Sequence, residues 1–386
     1  MLRVLVAGGG VAGLETLLAL HALAGDRVDV TLLAPEGGFV NRSMALDHPS
    51  TPGAVRRLKL RAVTSDLGVR LHRGALKRVD HDRRVVITER GRHLHYDQLV
   101  LALGARTARA WPAVLTYGVP GSAYEYRVLL RRLEQRRIRR LAFVKPADPS
   151  WTLPLYELAL ATAEAVDAGE LSLVTPEAEP LEAFGAPAGA LMRTVLEDAG
   201  IRLITGSRAV PSRPGRLHLS PGDRRLLVDA VVTVPRLAGP RVDGVVCDAA
   251  GFIPTDRFGR VTGMPDVFAA GDATAYPIKQ GGIAAQQADV VAAAIAASVG
   301  ADVDPRPFRP VLRGLVMAGG RRRYLRARGD GCDVSTQPLW WPPNRLCGRY
   351  LAPYLSSRVG GSAVMFHADA TPGRRTLVEL ADLPAA

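Results

Sequence analysis

Residues 7–15 read AGGGVAGLE, with a short apolar run, Leu2 to Ala7, ahead of them and an alanine- and leucine-rich run from Val11 to Leu23 behind. That order is strand, tight turn, buried helix. In such a turn Gly8 permits the sharp reversal, Gly10 lets the backbone approach a pyrophosphate, and Gly13 lets the helix pack on the strand. The helix amino terminus adds free N–H groups and a partial positive charge for the phosphates. Val28 to Leu33 supplies the next strand and completes a βαβ unit of about 30 residues. None of these strands alternates polar with apolar residues, as expected of a parallel sheet covered on both faces.

Further apolar runs follow at Val69 to Val79, Val85 to Thr88, Leu99 to Leu103, Leu141 to Val144 and Leu171 to Val174, with a helical stretch at Leu153 to Ala165. An internal repeat appears here. Residues 30–36 read VTLLAPE and residues 171–177 read LSLVTPE, each the second strand of its own unit and each ending in Pro then Glu. Two copies of one architecture are the natural reading. The second copy continues through a helix near Leu191 to Ala199 and a strand at Ile201 to Ile204. Strands at Val228 to Val234 and Val267 to Ala270 are expected to return to the first sheet. The predicted fold is α/β, with two Rossmann-like dinucleotide-binding domains of three layers. Residues 1–115 and 230–302 form the first, discontinuous domain, 116–229 the second, and 303–386 a C-terminal segment facing an interface or a membrane.

Composition agrees with an α/β enzyme: of 386 residues, 47% are hydrophobic and 23% charged. The net charge of +13 is carried mostly by arginine, dense at Arg131, Arg132, Arg136, Arg137, Arg139 and Arg140, and again from Arg321 to Arg328. A basic surface can face an anionic membrane or an acidic substrate, or reflect only an arginine-rich genome. No recognised nucleic-acid module accompanies it, so nucleic acid is not an expected partner. The three cysteines, Cys247, Cys332 and Cys347, form no CxxC pair, so neither a disulfide framework nor a metal site is expected. With a strand beginning at Leu2 and no run of about 18 apolar residues, the expected location is cytoplasmic, at most peripheral on the inner face of the cell membrane.

Two more motifs join the glycine turn. Residues 96–104 read YDQLVLALG, and residues 267–273 read VFAAGDA, followed by PIKQGG at 277–282 and a helix from about Ile283 to Ala297. Together the three resemble the pyridine nucleotide-disulfide oxidoreductase superfamily. The PIKQGG stretch and the tail look most like the branch of type II NADH dehydrogenases and sulfide:quinone oxidoreductases, over roughly Met1 to Leu325. The resemblance implies one bound FAD, a small-molecule electron donor at one flavin face and often a quinone at the other. It places Asp272 at the ribityl chain, and the counterparts of Lys279 and Gln280 beside the ring. The following helix aims its positive end at the N1 and C2 carbonyl edge. The expected cofactor-binding residues at the first turn are Gly8, Gly10, Val11, Ala12 and Gly13. Glu36 is expected on the ribose or as a solvated loop residue, and Arg42, Leu76, Ala102 and Gly104 are also expected to bind the cofactor. Gly271, Asp272, Lys279, Gln280 and Gly281 complete the set.

The second copy departs from the pattern. Its turn runs from Lys145 through Pro146, Ala147, Asp148, Pro149, Ser150, Trp151 and Thr152 to Leu153 and Pro154, and no glycine occurs between Gly121 and Gly169. Side chains obstruct a pyrophosphate and prolines remove N–H donors, so ordinary NAD(P)H binding is not expected. The redox cysteine pair of sulfide:quinone oxidoreductases is also missing before Cys247. Catalytic candidates reduce to Lys279, Trp151 and Glu157, with Trp151 read either as a stacking partner or as a plug in a vacated groove. Residues 340–355, WWPPNRLCGRYLAPYL, suit a membrane interface, or a tail docked on its own domain or on a second subunit of a homodimer. Three functions are compatible with these residues. They are an FAD-dependent oxidoreductase passing electrons to a quinone or other small acceptor, a non-enzymatic FAD-binding redox sensor or scaffold, and a type II NADH dehydrogenase with an atypical nucleotide loop.

Overall fold

The computed structural model describes residues 1–40, 57–147, 151–166, 169–213, 215–343, 345 and 348–358. Leu2–Ala7 forms the centre of a six-stranded sheet, parallel to Val28–Ala34 on one side and to Gln98–Leu101 on the other. Arg70–Arg73 extends it at one end and Met264–Ala269 at the other, where the short strand Arg260–Val261 adds an antiparallel edge. The helix Val11–Ala24 and the long helix Gly281–Ser298 pack together on one face, with Leu14, Leu17, Ala284, Ala288 and Val291 in a shared core. Both helices bury apolar residues on nearly every side, which is why their sequences carry little amphipathic contrast.

A second, five-stranded parallel sheet runs Leu115–Thr116, Ala230–Thr233, Arg140–Val144, Glu170–Val174, Ile201–Ile204. Ala230–Thr233 was expected in the first sheet; it pairs instead with Arg140–Val144 in the second, and Leu115–Thr116 joins it there. The second unit therefore starts before 116 and continues past 229. Periodicity identifies a buried strand without saying which sheet holds it, and the repeat explains the outcome. In each unit four strands are interrupted by a three-stranded antiparallel meander before the last returns beside the first. The meanders are Leu76–Asp80, Val85–Thr88 and His93–His95 in one unit, and Arg208–Arg213, Arg216–Ser220 and Arg224–Leu227 in the other. Gln98–Leu101 and Ala230–Thr233 are counterparts.

An aspartate fixes each returning strand. Asp97 accepts the backbone N–H of Arg3 at 2.8 Å and its guanidinium at 2.6 Å. Asp229 accepts the N–H groups of Arg139 and Arg140 at 2.9 and 3.0 Å and the Arg140 guanidinium at 2.8 Å. Smaller corrections are local. The run Val69 to Val79 divides at Gly74 into strands of two different sheets, and the helix near Leu191 begins earlier, at Ala186.

The C-terminal segment, expected as an interface or membrane-facing piece, contains a three-stranded antiparallel sheet, Val311–Ala318, Arg321–Arg328 and Gly331–Ser335. Leu312, Val316 and Leu325 enter the core of the second unit. The arginines that made 321–328 look like a charge cluster sit at the strand's exposed ends, with Tyr324 and Leu325 buried between them. Trp340 is buried edge-on against Tyr324 at 5.1 Å between ring centroids, and the helix Leu351–Arg358 lies on the first unit, so the described tail docks on its own chain. Among the described residues no helix is long and apolar enough to cross a membrane.

The Arg3 hydrogen bonds hold the Asp97 carboxyl down at about 2. An Asp97→Asn variant is expected to lose on the order of 1 kcal/mol in urea unfolding at neutral pH. A depressed carboxylate stabilises above its unfolded pKa, so the gap should close as pH falls from about 4 toward about 2.

Candidate functional site: two open helix ends meeting at one glycine

The turn after the first strand is built to the limit of close approach. Gly8 has φ +118°, and a Cβ there would lie 2.1 Å from the carbonyl oxygen of Ala102, which follows the strand Gln98–Leu101. A Cβ on Gly13 would lie 1.9 Å from the Gly8 carbonyl oxygen. Only glycine fits either place, and the pair draws the helix start onto the sheet edge. Gly10 differs: among the described residues, its own chain neighbours aside, no atom lies within 4 Å of its Cβ position. It is the N-cap of Val11–Ala24, without a side-chain cap and without an acidic residue in the first turn. The N–H groups of Val11, Ala12 and Gly13 have no intrahelical partner by geometry, and they follow directly on that uncrowded glycine. That cradle fits a pyrophosphate.

The long helix repeats the arrangement. Its N-cap is Gln280, again without a side-chain cap or first-turn acid. Gly271, at φ +79°, joins the two helix starts: its Cβ position is 3.0 Å from the Cβ of Ala12 and 3.2 Å from that of Ala284, one in the first turn of each helix. Gln287, buried on the long helix, accepts the Gly271 N–H at 2.8 Å, and Thr274 Oγ1 donates to the Gly271 carbonyl at 2.9 Å. Gln287 was not anticipated from sequence; a glutamine inside an alanine-rich helix is the signal that marks it.

Asp272 stands next to this junction. Loss of water raises its carboxyl pKa, and the charge of Lys279 offsets part of that rise. Lys279 is buried, donates to the Thr274 carbonyl and lies 3.7 Å from the centre of the Phe252 ring. Burial brings its ammonium down to about 8 against the pull of Asp272 and Asp248, so the site holds this cation at neutral pH and loses it above about pH 8. Gln280 turns its amide toward the C-terminal sheet, donating to the Arg313 carbonyl at 2.6 Å. Glu36 is exposed just beyond the strand Val28–Ala34, while Gly104 takes φ +70° with open space at its Cβ position. Leu76 packs into the core under the first meander. Arg42 lies outside the described residues.

The corresponding end of the second unit is occupied by its own side chains. Glu177, at the end of Glu170–Val174, accepts hydrogen bonds from Thr175 at 3.0 Å, Tyr156 at 3.1 Å and Thr152 at 3.3 Å. Desolvation, reinforced by Glu177, raises the Tyr156 hydroxyl and keeps it a donor. Trp151 packs on Phe184 at 5.8 Å between ring centroids and lies half-buried against the core of the second unit. Across the same region Gly314 of the C-terminal sheet comes so close that a Cβ would stand 2.7 Å from the Phe184 ring. Glu157 is buried in an ion pair with Arg345 at 2.7 Å, and Arg345 also donates to the Leu315 carbonyl. That pair ties the tail to the helix Leu153–Ala165.

Comparison with known proteins places this geometry. The family model for pyridine nucleotide-disulphide oxidoreductases matches residues 2–145 and 156–296, and the interval it skips holds the altered turn. An NADH dehydrogenase-like protein of Mycobacterium tuberculosis is 29% identical over 307 residues, covering 71% of this chain and 73% of the relative. The sulfide:quinone oxidoreductase of Aquifex aeolicus superposes with a TM-score of 0.74 at 19% identity, covering 87% of each chain. NDH2 of Plasmodium falciparum gives 0.66 at 12% identity, covering 86% of this chain and 91% of its own. At such identities the structural matches establish the fold.

Two glycine substitutions separate folding from binding. Gly13→Ala is expected to cost more than about 3 kcal/mol, because backbone must move to admit the methyl group. Gly10→Ala, at φ −86° beside open space, should unfold within about 0.5 kcal/mol of the parent in urea, yet bind a dinucleotide at least about tenfold more weakly by calorimetry.

Proposed function

The chain belongs to the pyridine nucleotide-disulphide oxidoreductase family, and from that premise we propose that it is an FAD-dependent oxidoreductase whose donor is not a nicotinamide nucleotide held in the usual turn and whose acceptor is a quinone or similar small molecule. The observation that carries this reading is the meeting of two uncapped helix starts at Gly271. One suits a pyrophosphate, and the other suits a second electron-rich part of the same ligand, such as the flavin edge. Bound there, FAD would supply the two-electron chemistry that links donor and acceptor.

The chain's own residues have separable roles. The N–H groups from Val11 to Gly13 hold phosphate, Asp272 accepts hydrogen bonds from the sugar-alcohol chain, and Glu36 serves the ribose. Lys279 adds a buried positive charge beside the long helix start, which favours negative charge in the groove. In the second unit, the carboxylate that would receive a nicotinamide nucleotide's ribose is taken by Tyr156, Thr152 and Thr175. Proline replaces the donors that would receive its phosphates. The quinone assignment draws support from the fold shared with a sulfide:quinone oxidoreductase.

The relative named NADH dehydrogenase-like favours a second reading, NADH oxidation through an atypical loop. Anaerobic mixing of the purified yellow protein with NADH, NADPH and sulfide, followed at the flavin absorbance, separates the two. The first reading expects NADH reduction slower than about 0.01 per second, far below typical turnover, and turnover with a quinone once a donor is found. Bleaching by NADH at roughly 10 per second would establish the second. A flavin that no donor reduces and no quinone reoxidises would leave a redox sensor or scaffold.

A further inference from the structure

Of the 50 lysine and arginine residues only four are lysines, Lys59, Lys77, Lys145 and Lys279, and Lys279 alone among them is buried. Its ammonium has three N–H donors, yet the Thr274 carbonyl is its one hydrogen-bond acceptor among the described residues. The place of further acceptors is taken by the face of a ring. Phe252, itself buried, has its ring centre 3.7 Å from Lys279 Nζ. An aromatic face carries negative charge and attracts a cation, the more so where water is excluded.

The ring is held there by a turn of its own. Asp248 Oδ1 accepts the Phe252 N–H at 2.8 Å, the Asp248 N–H donates to the Phe252 carbonyl at 2.8 Å, and the Gly251 N–H donates to the Asp248 carbonyl at 2.9 Å. Gly239 lies directly against this turn: a Cβ there would stand 1.9 Å from the Gly251 carbonyl and 2.1 Å from the Phe252 nitrogen. Just after the ring, the Ile253 N–H donates to the Ala273 carbonyl at 2.9 Å, and the Ile253 carbonyl accepts the Ala275 N–H at 2.8 Å. The residue that carries the ring and the residue that offers the carbonyl therefore sit on two backbone segments tied to each other, and Lys279 is held by both. The carboxylates whose charge reaches its ammonium are Asp272, beside the helix junction, and Asp248, at the start of the turn.

We propose that Phe252 is a positioning residue: its ring, set by the turn from Asp248 to Phe252, keeps the Lys279 cation at the start of the long helix, where that charge raises the electron affinity of the bound flavin. The inference rests on the reading of the groove as an FAD site. A positive charge held in a dry place favours the addition of electrons nearby. Lysine suits the place in a chain that otherwise uses arginine. An ammonium is a compact point charge that one ring face and one carbonyl can hold, whereas a guanidinium spreads five donors over a plane.

The test reads the ammonium directly. Full-length protein grown on lysine labelled with carbon-13 at Cε gives four lysine NMR signals, and the one missing from Lys279→Met is Lys279. Its titration should centre near pH 8, where burial draws the ammonium down against the pull of Asp272 and Asp248. Phe252→Leu keeps an apolar side chain and removes the ring face, so this midpoint should fall by about one pH unit. The reduction potential of the bound flavin, followed against pH in the same proteins, should change slope where Lys279 loses its proton. That change should move down with the NMR midpoint in Phe252→Leu and be missing from Lys279→Met, whose potential at neutral pH should be lower by about 30 mV or more, a tenfold loss for two electrons. If Phe252→Leu does not fold, a trifluorinated phenylalanine at the same position keeps the ring's shape while drawing charge from its face, and the same fall is expected. A Lys279 midpoint that falls in neither protein, or a flavin potential indifferent to Lys279→Met, overturns the proposal. A protein without flavin defeats the FAD reading instead, and the NMR midpoints still decide whether the ring holds Lys279.

Discussion

The distance between the first helix and the first strand is set by two missing side chains. With Gly13 against the Gly8 carbonyl and Gly8 against the Ala102 carbonyl, the helix start comes down onto the sheet edge farther than any residue with a Cβ would allow. The rest of the first unit accommodates that approach. Ala12 and Ala284 leave room for Gly271 between two helix starts, and Ala288 and Ala292 keep the long helix close along its length. Small residues set small interaxial distances. The result is a row of backbone N–H groups with no partner among the described residues, which is the chemistry a dinucleotide satisfies.

The second unit shows what happens when the skeleton is kept and that constraint is relaxed. Its strands repeat the order of the first, and Asp229 with Arg140 repeats the work of Asp97 with Arg3. Trp151, at the end of its glycine-free turn, packs on Phe184, and the Glu177 carboxylate accepts hydrogen bonds from Tyr156 and its neighbours. The C-terminal sheet then closes over the same end. A shared skeleton does not by itself give the two ends the same chemistry, because sites change faster than the scaffolds that carry them.

How legible each feature was depended on how local its physics is. The glycine turn reads directly from nine consecutive residues because backbone sterics decide it, and the repeat ending at Glu36 and Glu177 revealed two units. The destination of Ala230–Thr233 was not legible, since an apolar run carries no mark of its sheet; the meander before it, read as a repeat of the first, would have supplied one. Gln287 and Glu15 were also missed. A polar residue in a buried helix announces that it has a partner, but the partners of Glu15 lie more than 330 residues away in sequence. Arginine in Arg321–Arg328 masked a strand, because charge at its exposed ends outweighed two buried residues in the middle. The aromatic tail residues suited a membrane or a docking surface equally, since nothing in the sequence says that Trp340 packs against Tyr324.

The claim that most needs measurement is the identity of the molecule the groove holds. Denaturing the purified protein and identifying the released chromophore by chromatography and mass spectrometry, with its amount set against protein concentration, tests it directly. The account predicts FAD at about one per chain, the expectation for one dinucleotide fold with an intact glycine turn. Release of FMN or of a nicotinamide nucleotide instead, or a protein that neither carries nor takes up FAD, would contradict it.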